Sequence, residues 1–214
     1  ARDALDVRRS GWLWLAHLFY RLIRMSDADD KLHAILVLGA QLAGASAVAA
    51  FALFGPSAHA WVKGAGLWAF LLPVFVTVCH RMIPFFTASV VPFVSAFRPA
   101  WLLAVMIGAP VAHGVLDGMG QTAWTWIIDL PAAALTLWLT VRWGFVQSLR
   151  NRLLLMLHIG FVWYGLGFLL AGAHSLLVRS GAAGIPLGSL HALAIGFASS
   201  LLMFPATLPS MNLP

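Results

Sequence analysis

Residues 152–173 read RLLLMLHIGFVWYGLGFLLAGA, an apolar run whose only charged side chain is Arg152 at its start. A helix needs about 20 such residues to cross the hydrocarbon layer of a bilayer, because each residue adds about 1.5 Å. In lipid, only helices and closed barrels satisfy their backbone hydrogen-bonding groups. The stretch therefore predicts a transmembrane α-helix and sets the expected fold class of the chain.

Five further apolar stretches have the same character and similar lengths. They lie at about 33–54, 62–80, 101–117, 123–142 and 188–204. Most connections between them are short, which favours antiparallel neighbours. We therefore expect an all-α fold, a polytopic bundle of about six transmembrane helices over residues 33–204.

The remaining segments differ from these spans. Residues 1–32 are basic, and the apolar run at 11–23 is too short to cross a bilayer, which predicts an interfacial helix or the end of a further span. Residues 81–100 contain three prolines and predict a broken, partly re-entrant segment. Residues 205–214 predict an irregular tail. Because the chain begins with Ala, we expect it to be a piece of a longer protein.

The composition supports a lipid environment. Charged residues make up 9% of the chain and apolar residues 61%, whereas a soluble domain has roughly 25% charged residues. A soluble fold of this size has too small an interior to bury so much apolar surface. The net charge of +6 does not indicate nucleic-acid binding, since no basic run alternates with aromatic residues on a polar surface. The single cysteine, Cys79, excludes an intrachain disulfide.

The basic residues predict the orientation. With six spans, two basic residues fall on the side away from the N-terminus, Lys63 and Arg179. Eleven fall on the N-terminal side: Arg2, Arg8, Arg9, Arg21, Arg24, Lys31, Arg81, Arg98, Arg142, Arg150 and Arg152. Cytoplasmic loops carry the excess of Lys and Arg. We therefore expect the N-terminus of this chain to lie in the cytoplasm.

Small residues at helical spacing predict where the helices approach closely. Ala192, Gly196 and Ser200 share one stripe of the last span. Two pairs in the first span have the same spacing, Ala40 with Gly44 and Ala43 with Ala47. Such stripes let helices pack backbone to backbone in a membrane.

Histidine is the main polar residue within the spans, and polar groups at membrane depth are candidate functional groups. The predicted topology places His33, His80 and His158 near the cytoplasmic side. It places His113, His174 and His191 near the outer side, together with Asp117 and Asp129. Imidazoles on facing helices bind haem iron or copper, and a carboxylate such as Asp117 orients a ligating ring. His80, His158 and His191, followed by His113, are the predicted metal ligands.

Two other interpretations remain open at this point. A histidine at a helix end often only bonds a loop carbonyl, which fits His17, His33, His59 and His174. The segment 81–100 with Arg81, Asp117 and Asp129 instead fits a pathway for a small solute, in a transporter or channel. A non-catalytic scaffold is a third alternative. Glutamate is absent, which excludes hydrolysis with a Glu base within this piece.

Three stretches resemble the NnrS family of bacterial membrane proteins. The segment LPVFVTVCHRMIPFFT at 72–87 resembles the family's hallmark segment, and its match is the most specific. LHIGFVW at 157–163 looks like the penultimate helix of the family, and SLHALAIG at 189–196 resembles its Leu-His-Ala-Leu segment. The resemblance covers nearly all of residues 30–204. After Met203 the chain departs from the family pattern and lacks the expected Arg and His.

The resemblance implies a function that the residues alone do not. NnrS proteins are multi-pass proteins of the bacterial inner membrane that contain haem and copper and are linked to nitric oxide stress and denitrification. By resemblance, this chain corresponds to the C-terminal half of such a protein, with haem and copper as cofactors. Its expected partners are the lipid bilayer and the N-terminal half.

Overall fold

The structure is a computed structural model that describes residues 2–25, 28–92 and 95–207. Throughout these three ranges the regular secondary structure is helical, and none of it is a strand. The predicted all-α class is therefore confirmed. The chain divides into two compact units, Ala1–Thr77 and Val78–Pro214.

The first unit begins with two long helices, α1 (Arg2–Met25) and α2 (Ala28–Phe54). A 3₁₀ turn at Gly55–Ala58 and a helical turn at His59–Trp61 then lead into a wide helix, π1 (Val62–Leu71). Gly55 has a φ of 60°, a left-handed conformation that glycine adopts without the steric cost of a Cβ. This glycine therefore lets the chain leave α2 and turn.

Small residues join α2 to π1. A Cβ added at Gly44 would lie 2.8 Å from Cγ of Phe70, and a Cβ added at Gly66 would lie 3.7 Å from Cβ of Ala47. The two pairs run in opposite order along the chain, so the helices are antiparallel. Ala40 and Ala47 are buried. The predicted small-residue seam of the first span is thus confirmed.

Helix α1 is longer than the sequence predicted. It starts at Arg2 rather than at residue 11, because the polar N-terminal residues continue the same helix. Its length of 24 residues corresponds to about 36 Å. Its predicted place at the membrane interface stays a prediction.

The second unit contains the end of α3, three further long helices and a final helix made of three shorter segments. Helix α3 is Leu72–Val90, α4 is Ala100–Gly118, α5 is Trp126–Arg142 and α6 is Arg152–Arg179. Short turns at Thr122–Trp124 and Phe145–Ser148 join α4 to α5 and α5 to α6. The final helix consists of Gly188–His191, a wide helix π2 (Ala192–Ala198) and α7 (Ser199–Thr207).

Several helices have the length and composition of membrane spans. Three described segments are long and apolar enough to cross a bilayer: Lys31–Val90, Ala100–Gly118 and Arg152–Arg179. Gly188–Met203 is a shorter apolar helix. The first of them, a run of 60 residues, contains the antiparallel α2 and π1. These helices identify a membrane protein, while the count of six spans stays a prediction.

The segment 81–100 differs from its prediction in one half. Helix α3 continues through Pro84 and ends at Val90. Membrane helices tolerate proline because other groups can bond the backbone carbonyl that proline leaves without its usual hydrogen bond. The described part of 91–99 is mostly irregular, and the Pro99 carbonyl oxygen lies 3.3 Å from Nε2 of His80. The chain therefore returns along α3 by about 15 Å, the rise of ten helical residues.

The tail also differs from its prediction where it is described. Residues 205–207 belong to α7 rather than to an irregular segment, because the final helix continues through them to Thr207. Residues 208–214 lie outside the described residues, so the rest of the predicted tail is untested.

Helix α6 packs on α5 through two glycines seven residues apart. A Cβ added at Gly165 would lie 2.8 Å from Cδ2 of Leu137, and one added at Gly172 would lie 2.5 Å from Cδ2 of Leu130. Seven residues return to the same face of a helix, so both glycines face α5. The close approach of these helices depends on the missing side chains.

A second face of α6 packs on the final helix. A Cβ added at Gly160 would lie 3.2 Å from Cβ of Ser200, and one added at Gly196 would lie 2.5 Å from the Trp163 ring. Ala192, on the same predicted stripe, is buried. The stripe of Ala192, Gly196 and Ser200 is thus confirmed as a packing seam.

We expect Gly172→Ala to be less stable than Gly108→Ala by about 1–3 kcal/mol, the usual cost of overpacking a core. Both variants gain the same helix propensity. Only the first places its methyl group against Leu130, since nothing lies within 4 Å of a Cβ at Gly108. The free energy of unfolding in mixed micelles measures the difference. Equal stability of the two variants would show that the α5–α6 contact is loose.

Candidate functional site

The second unit has two chemically distinct ends. We call the end where α5 finishes and α6 starts the arginine end, because Arg142, Arg150 and Arg152 lie there. The opposite end is the aspartate end, where α4 finishes and α5 starts. Residues 78–214 contain two Asp and no Glu, and both, Asp117 and Asp129, belong to the aspartate end.

His158 lies near the arginine end, in the second turn of α6, and its side chain is fully buried. Its Nε2 is hydrogen-bonded to Oγ1 of Thr87 on α3, at 3.0 Å. The ring of Phe145 contacts it edge-on, with the ring centroids 6.2 Å apart. Its Nδ1 is buried and has no hydrogen-bond partner among the residues that the structure describes. The imidazole is thus held at one nitrogen and left without a partner at the other.

His80 is also buried and lies on α3, two turns before Thr87. Its Nε2–H donates to the Pro99 carbonyl oxygen at 3.3 Å. Residues seven apart share a helix face but are separated by about 10 Å along the axis. His158 is therefore level with Thr87 rather than with His80. Whether His80 binds a metal stays a prediction.

His113 and Asp129 form a buried pair at the aspartate end. Nδ1 of His113 on α4 lies 2.7 Å from Oδ1 of Asp129 on α5. The carboxylate is 0% exposed, and no group in the described part of the chain is hydrogen-bonded to its Oδ2. A carboxylate accepts, so Nδ1–H donates and the neutral ring carries its lone pair on Nε2. Asp129 therefore orients this imidazole, while Asp117, the other carboxylate considered for an orienting or pathway role, bonds Thr122.

Near the aspartate end, Nε1 of Trp126 and Nδ1 of His174 are also buried and have no hydrogen-bond partner within the described ranges. Trp126 lies one turn before Asp129 on α5, and its backbone N–H donates to Oγ of Ser175 at 3.1 Å. Ser175 is fully buried on α6. Neither Trp126 nor Ser175 was predicted as a site residue, although both lie close to the ends of predicted spans.

The other predicted site residues are more accessible. Asp117 is half-buried and accepts a hydrogen bond from Oγ1 of Thr122 at 2.9 Å, which ties the end of α4 to the following turn. Arg81 is exposed on α3. His191 is exposed, and its Nδ1–H donates to the Leu187 carbonyl oxygen at 2.8 Å. These three residues therefore contrast with the two buried pairs, and their predicted roles stay predictions.

Within the described ranges, no three or more His, Cys, Asp or Glu side chains are grouped so that they could hold a metal ion together. The structure brings two of the predicted residues into direct contact, His113 and Asp129. It also shows that Thr87 is the hydrogen-bond partner of His158, which the sequence did not predict. The available signal was its position, since Thr87 closes the segment at 72–87 that resembles NnrS proteins.

The sequence profile of the NnrS family, described as "NnrS protein", matches residues 8–207. The chain belongs to the NnrS family. A search of curated proteins and a search of solved structures each found no match. The resemblance noted from the sequence is therefore confirmed over almost the whole chain.

The three NnrS-like segments contact one another in the structure. The segment at 72–87 supplies Thr87, which bonds His158 of the second segment on α6. Trp163, also in the second segment, packs against Gly196 of the third. The motifs by which the chain resembles the NnrS family thus meet at α6, and His158 lies where the first two join.

Proposed function

We propose that this NnrS-family chain binds haem or copper inside its helix bundle and acts in the bacterial response to nitric oxide or in denitrification. The observation that carries the proposal is His158, a fully buried imidazole held at Nε2 by Thr87, whose Nδ1 has no hydrogen-bond partner within residues 2–25, 28–92 and 95–207. A buried polar atom without a partner costs about 1–3 kcal/mol. Such a cost is offset when the atom binds a ligand.

The side chains fit these cofactors. Imidazole nitrogen is an axial ligand of haem iron and a common ligand of copper. His158 would hold the metal through Nδ1, when Nε2–H donates to Thr87 and leaves the lone pair on Nδ1. His80 and His113 are the other two buried imidazoles among the predicted ligands, and His191 is the exposed one.

The chain's own residues have separate tasks in this proposal. The bound metal would supply a centre that takes up nitric oxide. Thr87 fixes the rotation of the His158 ring, in the way that outer partners orient metal-bound imidazoles. Phe145 covers one edge of the ring and helps to exclude water. At the other end, Asp129 fixes the His113 ring through the bond to its Nδ1.

The location follows from the basic residues. We place the chain in the bacterial inner membrane, with the arginine end of the second unit in the cytoplasm, since cytoplasmic loops carry the excess of Lys and Arg. The N-terminus would then also be cytoplasmic. By family resemblance, the N-terminal half of an NnrS protein and the lipid bilayer are the expected partners.

Metal analysis tests the proposal most directly. The full-length chain is purified from cells supplied with haem and copper, and its iron, copper and visible absorbance are measured. Bound haem gives an intense Soret band, and bound copper gives a metal-to-protein ratio near one or above. A colourless, metal-free protein that keeps its helical circular dichroism would overturn the proposal.

We expect Thr87→Val to weaken metal binding about 10–100-fold, the usual effect of removing an outer partner of a ligating histidine. Valine keeps the shape of threonine but cannot bond Nε2 of His158. Thr87→Ser keeps the hydroxyl and should retain most of the affinity. Titration of haem or copper into the depleted protein measures both variants. Equal affinity for Val and Ser would rule out a positioning role for this hydroxyl.

A solute pathway is the second candidate function, and a specific observation favours it. The aspartate end has a buried acceptor, Oδ2 of Asp129, and a buried donor, Nε1 of Trp126, and neither has a hydrogen-bond partner among the described residues. A polar solute or water would satisfy both. Solute flux into vesicles by metal-free protein, lost in Asp129→Ala, would favour this function over metal binding.

A further inference from the structure

A groove of about 630 Å³ opens at the arginine end of the second unit. Its walls are the end of α3 and the connection between α5 and α6. Its apolar surface comes from Val90, Val91, Pro92 and Val146. The volume lies within the range of ~300–1,000 Å³ that small-molecule sites have. The groove is therefore large enough for part of an elongated apolar ligand.

The polar side of the groove is formed by Gln147, Arg150 and Asn151. Oδ1 of Asn151 accepts hydrogen bonds from the backbone N–H groups of Leu153 and Leu154, both at 3.1 Å, and so caps α6. This cap uses the amide oxygen of Asn151 and leaves its NH₂ as a donor. The exposed guanidinium of Arg150 adds a full positive charge beside these amides. This side of the groove therefore suits an anion.

The surroundings reinforce that charge. Arg142 and Arg152 lie at the same end, while both carboxylate side chains of residues 78–214 belong to the opposite end. Helix α6, with 28 residues, starts directly beside the groove and contributes the positive end of its dipole. The positive potential at the groove is thus not balanced by acidic side chains of the second unit.

We propose that this groove binds one anionic phospholipid, with the phosphate headgroup at Arg150 and an acyl chain against Val90, Val91 and Val146. The charge around the groove complements a phosphate, and the adjoining apolar surface complements a chain. A free phosphate would leave the valines in water. A zwitterionic lipid carries its own cation into a region that is already positive.

The test uses the full-length protein, delipidated in detergent. Binding of phosphatidylglycerol, phosphatidylcholine and inorganic phosphate is measured by native mass spectrometry and by the shift in melting temperature. We expect phosphatidylglycerol to bind preferentially. Arg150→Gln should weaken it about fivefold, which corresponds to ~1 kcal/mol for one basic residue near a membrane surface. Val146→Ser should weaken both lipids and leave phosphate unchanged.

Arg179→Gln is the matched control, because Arg179 lies at the aspartate end and stacks on the Trp124 ring, 4.2 Å from its centroid. This variant should bind phosphatidylglycerol like the unchanged protein. Circular dichroism confirms that each variant is folded. The proposal is overturned if phosphatidylcholine binds as tightly, if free phosphate alone reproduces the effect, or if Arg179→Gln loses as much affinity as Arg150→Gln.

Discussion

His158→Ala is expected to lower the affinity of the chain for haem or copper by more than about 100-fold. Removing an outer partner of a metal-bound histidine already costs 10–100-fold, and this substitution removes the imidazole itself. Titration of the metal-depleted full-length protein measures the loss. The same variant removes a buried nitrogen that has no partner, Nδ1. This gain partly offsets the cavity that alanine leaves.

The stability of the metal-free His158→Ala protein shows how much of the effect on metal binding could come from a damaged fold. We expect the metal-free His158→Ala protein to lose about 1–3 kcal/mol of unfolding free energy, because removal of the unpaired Nδ1 only partly offsets the cavity and the lost bond to Thr87. His191→Ala is the comparison variant, since its ring is exposed and bonded to the Leu187 carbonyl oxygen. We expect His191→Ala to lower the affinity for metal less than His158→Ala does. A variant at His158 that binds metal normally would contradict its assignment as a ligand.

The sequence predicted those features that depend on spacing along one helix. Small residues at intervals of four identified the face of the final helix that packs on Trp163 and Gly160. Apolar length identified the helices around 100–118 and 152–179, although α6 extends six residues further than expected. These features are local, because they need only the period of the helix and the thickness of a bilayer.

The features that the sequence did not predict depend on how the helices pack against each other. Proline suggested that α3 would break after His80, but the helix continues through Pro84 to Val90. The added turns bring Thr87 to His158, a pair that no motif in the chain connects. Depth alone placed His113 near two carboxylates, and helix rotation selected Asp129 over Asp117. Rotation and register come from packing, which a single sequence does not specify.

The pair of His113 and Asp129 carries the second large prediction. A double-mutant cycle with His113→Ala and Asp129→Ala should give a coupling energy of about 1.5–3 kcal/mol, as for hydrogen bonds with an ionised partner. Neutral hydrogen bonds between membrane helices average only ~0.6 kcal/mol. The larger value is expected because the bond is 2.7 Å long and the carboxylate is fully buried. Unfolding in mixed micelles measures each corner of the cycle.

The chain offers a matched control cycle in Asp117 and Thr122, whose bond is 2.9 Å long but only partly buried. Because water competes for the half-buried carboxylate, the coupling energy there should stay below about 1 kcal/mol. Asp129→Asn keeps the shape and an acceptor oxygen, so it should retain part of the coupling that Asp129→Ala loses. Equal coupling in the two cycles would mean that burial adds nothing to the His113 bond. In that case, the orientation of this imidazole would have to come from packing alone.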